Sequence, residues 1–357
     1  MELKNIELIN FRNYKYQKIE FINGINLFVG NNAQGKTNII ESIYISAFGK
    51  SYRTVKDNEI INFESEFSKI NLEYSKDDIN NKINYSIDRL NRKNILKNDV
   101  KIRKLSDHVG DIPIVLFSPD SLDIVKGAPA KRREFINMIA SQLSKNYLIA
   151  LQEYNKCLKI KNSCLKNDFV DREYLKILND KMSTYIEKIV NFRKVIIEKI
   201  LEKAKIIEKN VTNGKEDIFL KYETDFLNMT SQQINDILNK YMEIEIMKKS
   251  SMKGIQRDDV IVYVNNLEVA KYGSQGQNRT ALLSLKLADY EVLKEVKHEN
   301  PILLLDDIMS ELDGQRISYL LKYIENCQSI ITTTDSSFVK EVKNIKISKV
   351  LSGRLEI

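Results

Sequence analysis

The sequence predicts an α/β fold, a mixed sheet with flanking helices, interrupted by an inserted helical arm. Three observations predict it. Short apolar strands lie near both ends of the chain, Ile25 to Val29 at the start and Ile302 to Leu305 and Ser329 to Thr332 at the finish. Helical periodicity follows the first two of these, as in alternating β and α units. Between the ends the period changes, and from about Lys131 to Lys209 apolar residues such as Ile186, Ile189, Val190, Ile197, Ile200, Leu201, Ala204 and Ile207 recur at helical spacing among Lys and Glu.

Ile6 to Ile9 and Ile19 to Phe21 bracket a polar turn and read as strands, and Ile25 to Val29 makes a third that stops at Gly30. A Gly-rich loop then leads into a helix over Asn38 to Ala47. Residues 59 to 117 alternate apolar and polar in short pieces, Ile70 to Tyr74 and Ile83 to Ile87 among them, which predicts a small antiparallel sheet. The long amphipathic helices come next. Their apolar stripe is too brief and irregular for a long coiled coil and fits either ordinary core packing or a short arm projecting from a head domain. After Gly254 the β pattern returns at Val260 to Val264, followed by a helix from Asn278 to Val292, the strand Ile302 to Leu305, another helix and the strand Ser329 to Thr332. The expected organisation is the N-terminal part of a head over residues 1–125, the arm over 126–253 and the C-terminal part of the head over 254–357.

At 357 residues the chain can bury a substantial core, and 43% hydrophobic residues places it among folded globular proteins. Lys and Arg total 56 against 49 Asp and Glu, a net charge of +7 that permits an anionic partner without identifying one. The longest apolar runs are far too short to span a bilayer, and Met1-Glu2-Leu3-Lys4 enters a strand-like pattern with no signal-peptide core, so a cytosolic protein without a membrane partner is expected. Cys157, Cys164 and Cys327 are odd in number and lack metal-ligand spacing, and only His108 and His298 could assist them. Reduced structural thiols follow, which removes zinc chemistry and Ser-His-Asp or Cys-His nucleophilic catalysis.

Three motifs carry chemistry. Gly30-Asn31-Asn32-Ala33-Gln34-Gly35-Lys36-Thr37 matches GxxxxGK[ST], after an apolar strand and before a helix, where a phosphate-binding loop must sit. Its backbone N–H groups and the helix dipole would cradle the phosphates of ATP, Lys36 would bridge the β- and γ-phosphates, and the Thr37 hydroxyl would ligate Mg²⁺. Ile302 to Leu305 then delivers Asp306 and Asp307 at a strand end, Asp306 suited to the Mg²⁺ shell and Asp307 to orienting or deprotonating the attacking water. Ser274-Gln275-Gly276-Gln277 precedes a helix and forms a second anion site. A chain with its own P-loop does not need two such sites for one nucleotide. The economical reading is that this one serves the nucleotide of a neighbouring subunit; the plain alternative is an N-cap turn. Ser310-Glu311-Leu312-Asp313 fits a loop communicating across such an interface.

The order of P-loop, signature, acidic pair and Ser-Glu-Leu-Asp resembles an ABC-type P-loop ATPase head of the SMC class. Further stretches resemble the RecF family. They are Asn10 to Tyr14, Asn32 to Asn38, Gly49 to Thr54, Phe117 to Asp120, Lys126 to Pro129 with Arg132-Arg133, Arg257-Asp258-Asp259 and Tyr272 to Thr280. The resemblance implies a cytosolic recombination mediator of DNA repair and replication-fork maintenance. Such a protein binds ATP and DNA, dimerises around nucleotide, hydrolyses ATP slowly, and helps RecO and RecR load RecA. Three departures stand out. Gly254-Ile255-Gln256 replaces the family's Gly-Pro-His before Arg-Asp-Asp, Thr332-Thr333-Thr334-Asp335 lacks a switch-loop histidine, and Asp307 stands where most ABC proteins carry glutamate. The shorter carboxylate and the missing histidine fit slow hydrolysis.

Candidates for DNA contact are Lys50 and Arg53 after the P-loop helix, Arg89, Arg92 and Lys93 in the small sheet, and Lys131, Arg132 and Arg133. Each cluster reads equally as a solvated face, and phosphate contacts of this kind recognise DNA structure rather than sequence. A small-molecule kinase or transport ATPase would need the P-loop alone and leaves the signature unexplained. An SMC-like tether is the other alternative, for which the arm is short.

Overall fold

The computed structural model describes residues 1–336 and 344–356, apart from the side chains of residues 310 and 311. Ser310 and Glu311 of the Ser-Glu-Leu-Asp segment therefore lie outside the described side chains. Two compact units form, one from Met1–Ser121 with Lys286–Ile357 and one from Leu122–Leu285.

In the first unit the chain runs through β1 (Glu2–Phe11), β2 (Tyr14–Glu20), β3 (Ile25–Val29), α1 (Lys36–Phe48), β4 (Phe67–Lys76), β5 (Ile79–Asp88), β6 (Lys93–Lys97), β7 (Val100–Lys101) and β8 (Ile114–Phe117). The second unit holds α2 (Asp123–Lys126), α3 (Pro129–Leu143), α4 (Lys145–Leu165), α5 (Arg172–Val211), β9 (Ile218–Glu223), α6 (Ser231–Lys240), α7 (Met242–Lys248), β10 (Asp259–Val264), β11 (Leu267–Glu268) and α8 (Val269–Tyr272). Helix α9 (Gln275–Lys297) begins there and ends in the first unit, which then adds β12 (Ile302–Asp306), α10 (Gly314–Ile324), β13 (Ser329–Thr333), β14 (Ile345–Leu351) and β15 (Arg354–Glu356).

Two sheets organise the first unit. The antiparallel one has the order β2-β1-β4-β5-β6-β7, so the expected small sheet is enlarged by the first two strands. The other has the order β15-β14-β3-β13-β12-β8, parallel throughout except at its β15 edge. Strand β8 leaves the antiparallel pattern because all four of its residues, Ile114 to Phe117, are apolar and buried, the habit of a strand covered on both faces. Helix α1 packs against β12 and β13 on one side and β4 and β5 on the other. That placement explains why it is buried nearly all round instead of amphipathic. It ends at Gly49, whose positive φ of 67° lets its N–H reach the Ile45 carbonyl.

In the second unit the 40-residue helix α5 packs along α4, α3 and α6, its N-terminus capped by the Asp171 carboxylate. The strand β9 was not legible within the arm. It pairs along β10, which draws residues 254–285, the Ser274 segment included, into this unit and not into the C-terminal part of the head.

Two of the sequence motifs close on one another here. Arg132 grips Asp259 with two parallel bonds of 2.7 and 2.8 Å and donates to the Gly127 carbonyl, while Arg133 donates to the Asp258 carbonyl. Arg193 of α5 is 2% exposed and reaches Asp258 at 2.7 Å, Asn137 at 2.9 Å and the Ile255 carbonyl at 3.3 Å. Tyr222 adds a 2.6 Å bond to Asp258. Burial pushes the Asp258 carboxyl up, and the Arg193 guanidinium is the strongest influence opposing it. Arg132 is accordingly corrected as a DNA candidate: it is 7% exposed and its fork is spent on a carboxylate. Gln256, which stands where the family carries histidine, bonds the Tyr154 hydroxyl and the Lys253 carbonyl and so fills a structural place.

Removing one partner of a buried ion pair strands the other, at a cost of about 3–5 kcal/mol. Arg193→Ala is expected to lose that much in urea unfolding, and Arg172→Ala, whose partner Glu243 is exposed, less than about 1 kcal/mol. Equal losses would show that the Arg193 network does not hold the unit together.

Candidate functional site

The five parallel strands β14, β3, β13, β12 and β8 end on the same side of their sheet, which is where ligands sit in open α/β sheets. The end of β3 is the P-loop. Gly30 is required there because a Cβ would fall 2.4 Å from the Val350 carbonyl oxygen, and Gly35 takes a φ of +112° that favours glycine. The first turn of α1 carries no acidic residue, so the positive end of its dipole is left for an anion. Lys36 is 6% exposed and its Nζ donates to the carbonyls of Gly30 and Asn31 at 2.6 and 2.9 Å, folded over the loop. Burial lowers its pKa, and the nearby Asp307 and Asp306 carboxylates oppose that shift.

Asp306 is 3% exposed at the end of β12 and receives three hydroxyl donors: Thr37 and Thr332 on Oδ1, each at 2.8 Å, and Tyr52 on Oδ2 at 3.0 Å. Thr332 is its register partner on β13, so this bond crosses the parallel pair. Asp307 turns into the left-handed region at φ 52°, a strained conformation for a residue other than glycine. Its N–H is held by the carbonyl and the hydroxyl of Thr332, each at 3.1 Å. Burial raises the Asp307 pKa against the pull of Lys36, which strengthens the carboxylate as a proton acceptor.

Thr37 and Asp306 offer two hard oxygen donors beside the phosphate loop. Mg²⁺ is held in such sites by one or two protein oxygens with substrate phosphates and water completing its shell, so this donor set fits it. Among the described residues no group of three His, Cys, Asp or Glu side chains forms a metal cage.

Several supporting residues were not legible in the sequence. Glu41 of α1 is fully buried, gripped in two parallel bonds by Arg12 and bonded also by Arg53 and Ser51. Asn13 donates to the Gln34 carbonyl at 3.0 Å, and the Gln34 side chain accepts from the N–H of Ser352 at 2.6 Å, tying the P-loop to the β14–β15 turn. These contacts link residues far apart in the chain, and no local pattern announces them.

The Ser274 segment lies in the second unit. The helix there begins at Gln275, earlier than expected, because Ser274 Oγ accepts from the Gln277 N–H at 3.2 Å while the Gln277 side chain accepts from the Ser274 N–H at 3.0 Å. This capping box is the local cause of the turn. Ser274 and Gln275 remain exposed, and a capping hydroxyl keeps its proton to donate.

The basic candidates separate. Lys50 and Lys131 are exposed, and Arg53 keeps 39% of its side chain exposed while bonding Asn38 and Glu41. Arg89 is taken up by the carbonyls of Asn62, Phe63 and Ser65, Arg92 by Asp88 and Lys93 by Asp57. Among the described residues no helix is long and apolar enough to cross a membrane.

Comparison with known proteins places this geometry. The family model described as "RecF/RecN/SMC N terminal domain" matches residues 2–354. The DNA replication and repair protein RecF of Clostridium perfringens is 40% identical, with the whole of both chains aligned. A solved structure of the recombination mediator protein RecF with ATPrS, described in the RecFOR pathway, superposes with a TM-score of 0.91 at 33% identity, covering 99% of this chain and 97% of that one. The Smc head domain of Pyrococcus furiosus superposes at a TM-score of 0.59 and 18% identity, covering 99% of this chain and 95% of that one, a likeness of fold alone. With identity at this level sustained from end to end and an ABC-type ATPase head as its fold, the chain belongs to the RecF family.

Proposed function

We propose that this chain binds ATP with Mg²⁺ at the P-loop, dimerises around the nucleotide, and in that form holds DNA during recombinational repair and replication-fork maintenance. The observation that carries the reading is the convergence of Lys36, Thr37, Asp306 and Asp307 at the parallel strand ends, each in the place a nucleoside triphosphate would require. The near-full-length likeness to a recombination mediator solved with an ATP analogue supports it.

In this reading Lys36 exchanges the Gly30 and Asn31 carbonyls for the β- and γ-phosphate oxygens. Thr37 and Asp306 would hold Mg²⁺, which would supply neutralisation of developing phosphate charge. Asp307 orients the attacking water and takes up its proton. Ser274 to Gln277 of one subunit face the γ-phosphate held by the other, so hydrolysis needs both. The protein works in the cytosol, turns over slowly under stimulation by DNA, contacts DNA through Lys50, Arg53 and Lys131, and meets RecR, and through it RecO and RecA. The tether reading fits less well: the longest helix has 40 residues, about 60 Å at the helical rise, short for bridging distant sites.

Lys36→Met is expected to weaken ATP binding about 100-fold, the loss of two charge-assisted bonds, and to abolish ATP-dependent DNA binding in a folded protein. Wild-type ATP and DNA affinity in that variant would refute the assignment. Asp307→Asn should bind ATP normally and slow turnover about 100-fold or more. Failure of Asp307→Asn to bind Mg²⁺-ATP would make Asp307 a metal ligand instead. Ser274→Arg should bind ATP as a monomer yet fail to dimerise with it in sedimentation, and a variant that dimerises like wild type would sink the sandwich.

A further inference from the structure

Asp306 has donors on both carboxylate oxygens that come from outside the P-loop. Thr332 occupies Oδ1 and Tyr52 occupies Oδ2. Thr37 also bonds Oδ1, but its hydroxyl oxygen would be the one to hold Mg²⁺, so its bond to the carboxylate is the one that would be given up. The other two contacts can persist, one on each oxygen.

Tyr52 is held for this task. Gly49 ends α1 and reverses the chain, and Ser51 then bonds Glu41 at 2.5 Å while accepting the Arg53 N–H at 2.9 Å. Arg53 closes the turn on Asn38 at 2.8 Å. The Tyr52 ring packs edge-on against Tyr44 with centroids 5.1 Å apart, and Tyr44 in turn packs against Phe48 at 4.4 Å.

We propose that Tyr52 is a positioning residue that sets the orientation of the Asp306 carboxylate for Mg²⁺. The inference rests on the ATP–Mg²⁺ reading of the site and adds a residue to it. A carboxylate on a single β-carbon turns easily about its last bond, and one donor per oxygen fixes its plane. Outer-shell partners of this kind are worth about 10–100-fold in metal affinity. A purely structural tyrosine at this place would affect nucleotide binding equally with and without metal.

The test is Tyr52→Phe, which keeps the ring against Tyr44 and removes only the hydroxyl. ATP affinity is measured by calorimetry in EDTA and across a Mg²⁺ titration, with thermal unfolding followed in parallel. The expected result is an unchanged affinity in EDTA and about a tenfold higher Mg²⁺ concentration for half of the Mg²⁺-dependent gain. An unchanged Mg²⁺ titration overturns the inference, and so does an affinity that falls by the same factor in both conditions. A wild-type protein that binds ATP but is indifferent to Mg²⁺ overturns the metal reading itself, together with this inference. A wild-type protein that binds no ATP overturns the wider function.

Discussion

The carboxylate of Asp306 is the point through which the parts of the candidate site are joined. It lies at the end of a fully buried strand, and the hydroxyls that satisfy it come from the P-loop helix, from the neighbouring strand and from the turn after α1. A buried carboxylate without donors is costly, so these three segments are held to one arrangement by the need to solvate a single group. Asp307 inherits its position from the same junction, since Thr332 bonds both Asp306 and the Asp307 N–H. Rotating any one segment loses bonds in the others, which is how a site assembled from residues 269 positions apart stays in register.

The second unit uses the same device for a different end. Arg193 and Arg132 are buried against Asp258 and Asp259, with Tyr222 completing the set. Arg132, a candidate for DNA contact in the sequence, and the Arg257-Asp258-Asp259 stretch are partners in this network. Part of the charge that looks available along the chain is consumed by burial, Arg132 above all, while Lys50, Arg53, Arg92 and Lys131 stay exposed.

How far the sequence could be read follows from the range of the interactions. The P-loop is contiguous, and its glycines answer to local constraints, so strand, loop and helix were legible together. Asp306 and Asp307 were legible because an apolar strand points at them. Tyr52 and Thr332 were not, because only the tertiary fold brings them to Asp306. Strand β9 was hidden because its six residues lie between the helices α5 and α6, and its pairing with β10 moved the boundary of the unit. The early turn at Gln275 was missed for a smaller reason: Ser274 and Gln277 satisfy each other, which advances the helix start.

In the functional reading, the P-loop and the Ser274 segment act on one nucleotide only when they come from two chains. Mixing Ser274→Arg with Lys36→Met tests this most directly. The mixed dimer retains one composite site, made from the P-loop of the Ser274→Arg subunit and the signature of the Lys36→Met subunit, while the other site carries both lesions. The account predicts that ATP-dependent dimers, absent from either variant alone, form in the mixture and recover part of the turnover. A mixture that stays monomeric with ATP, in which each variant remains folded, would contradict it.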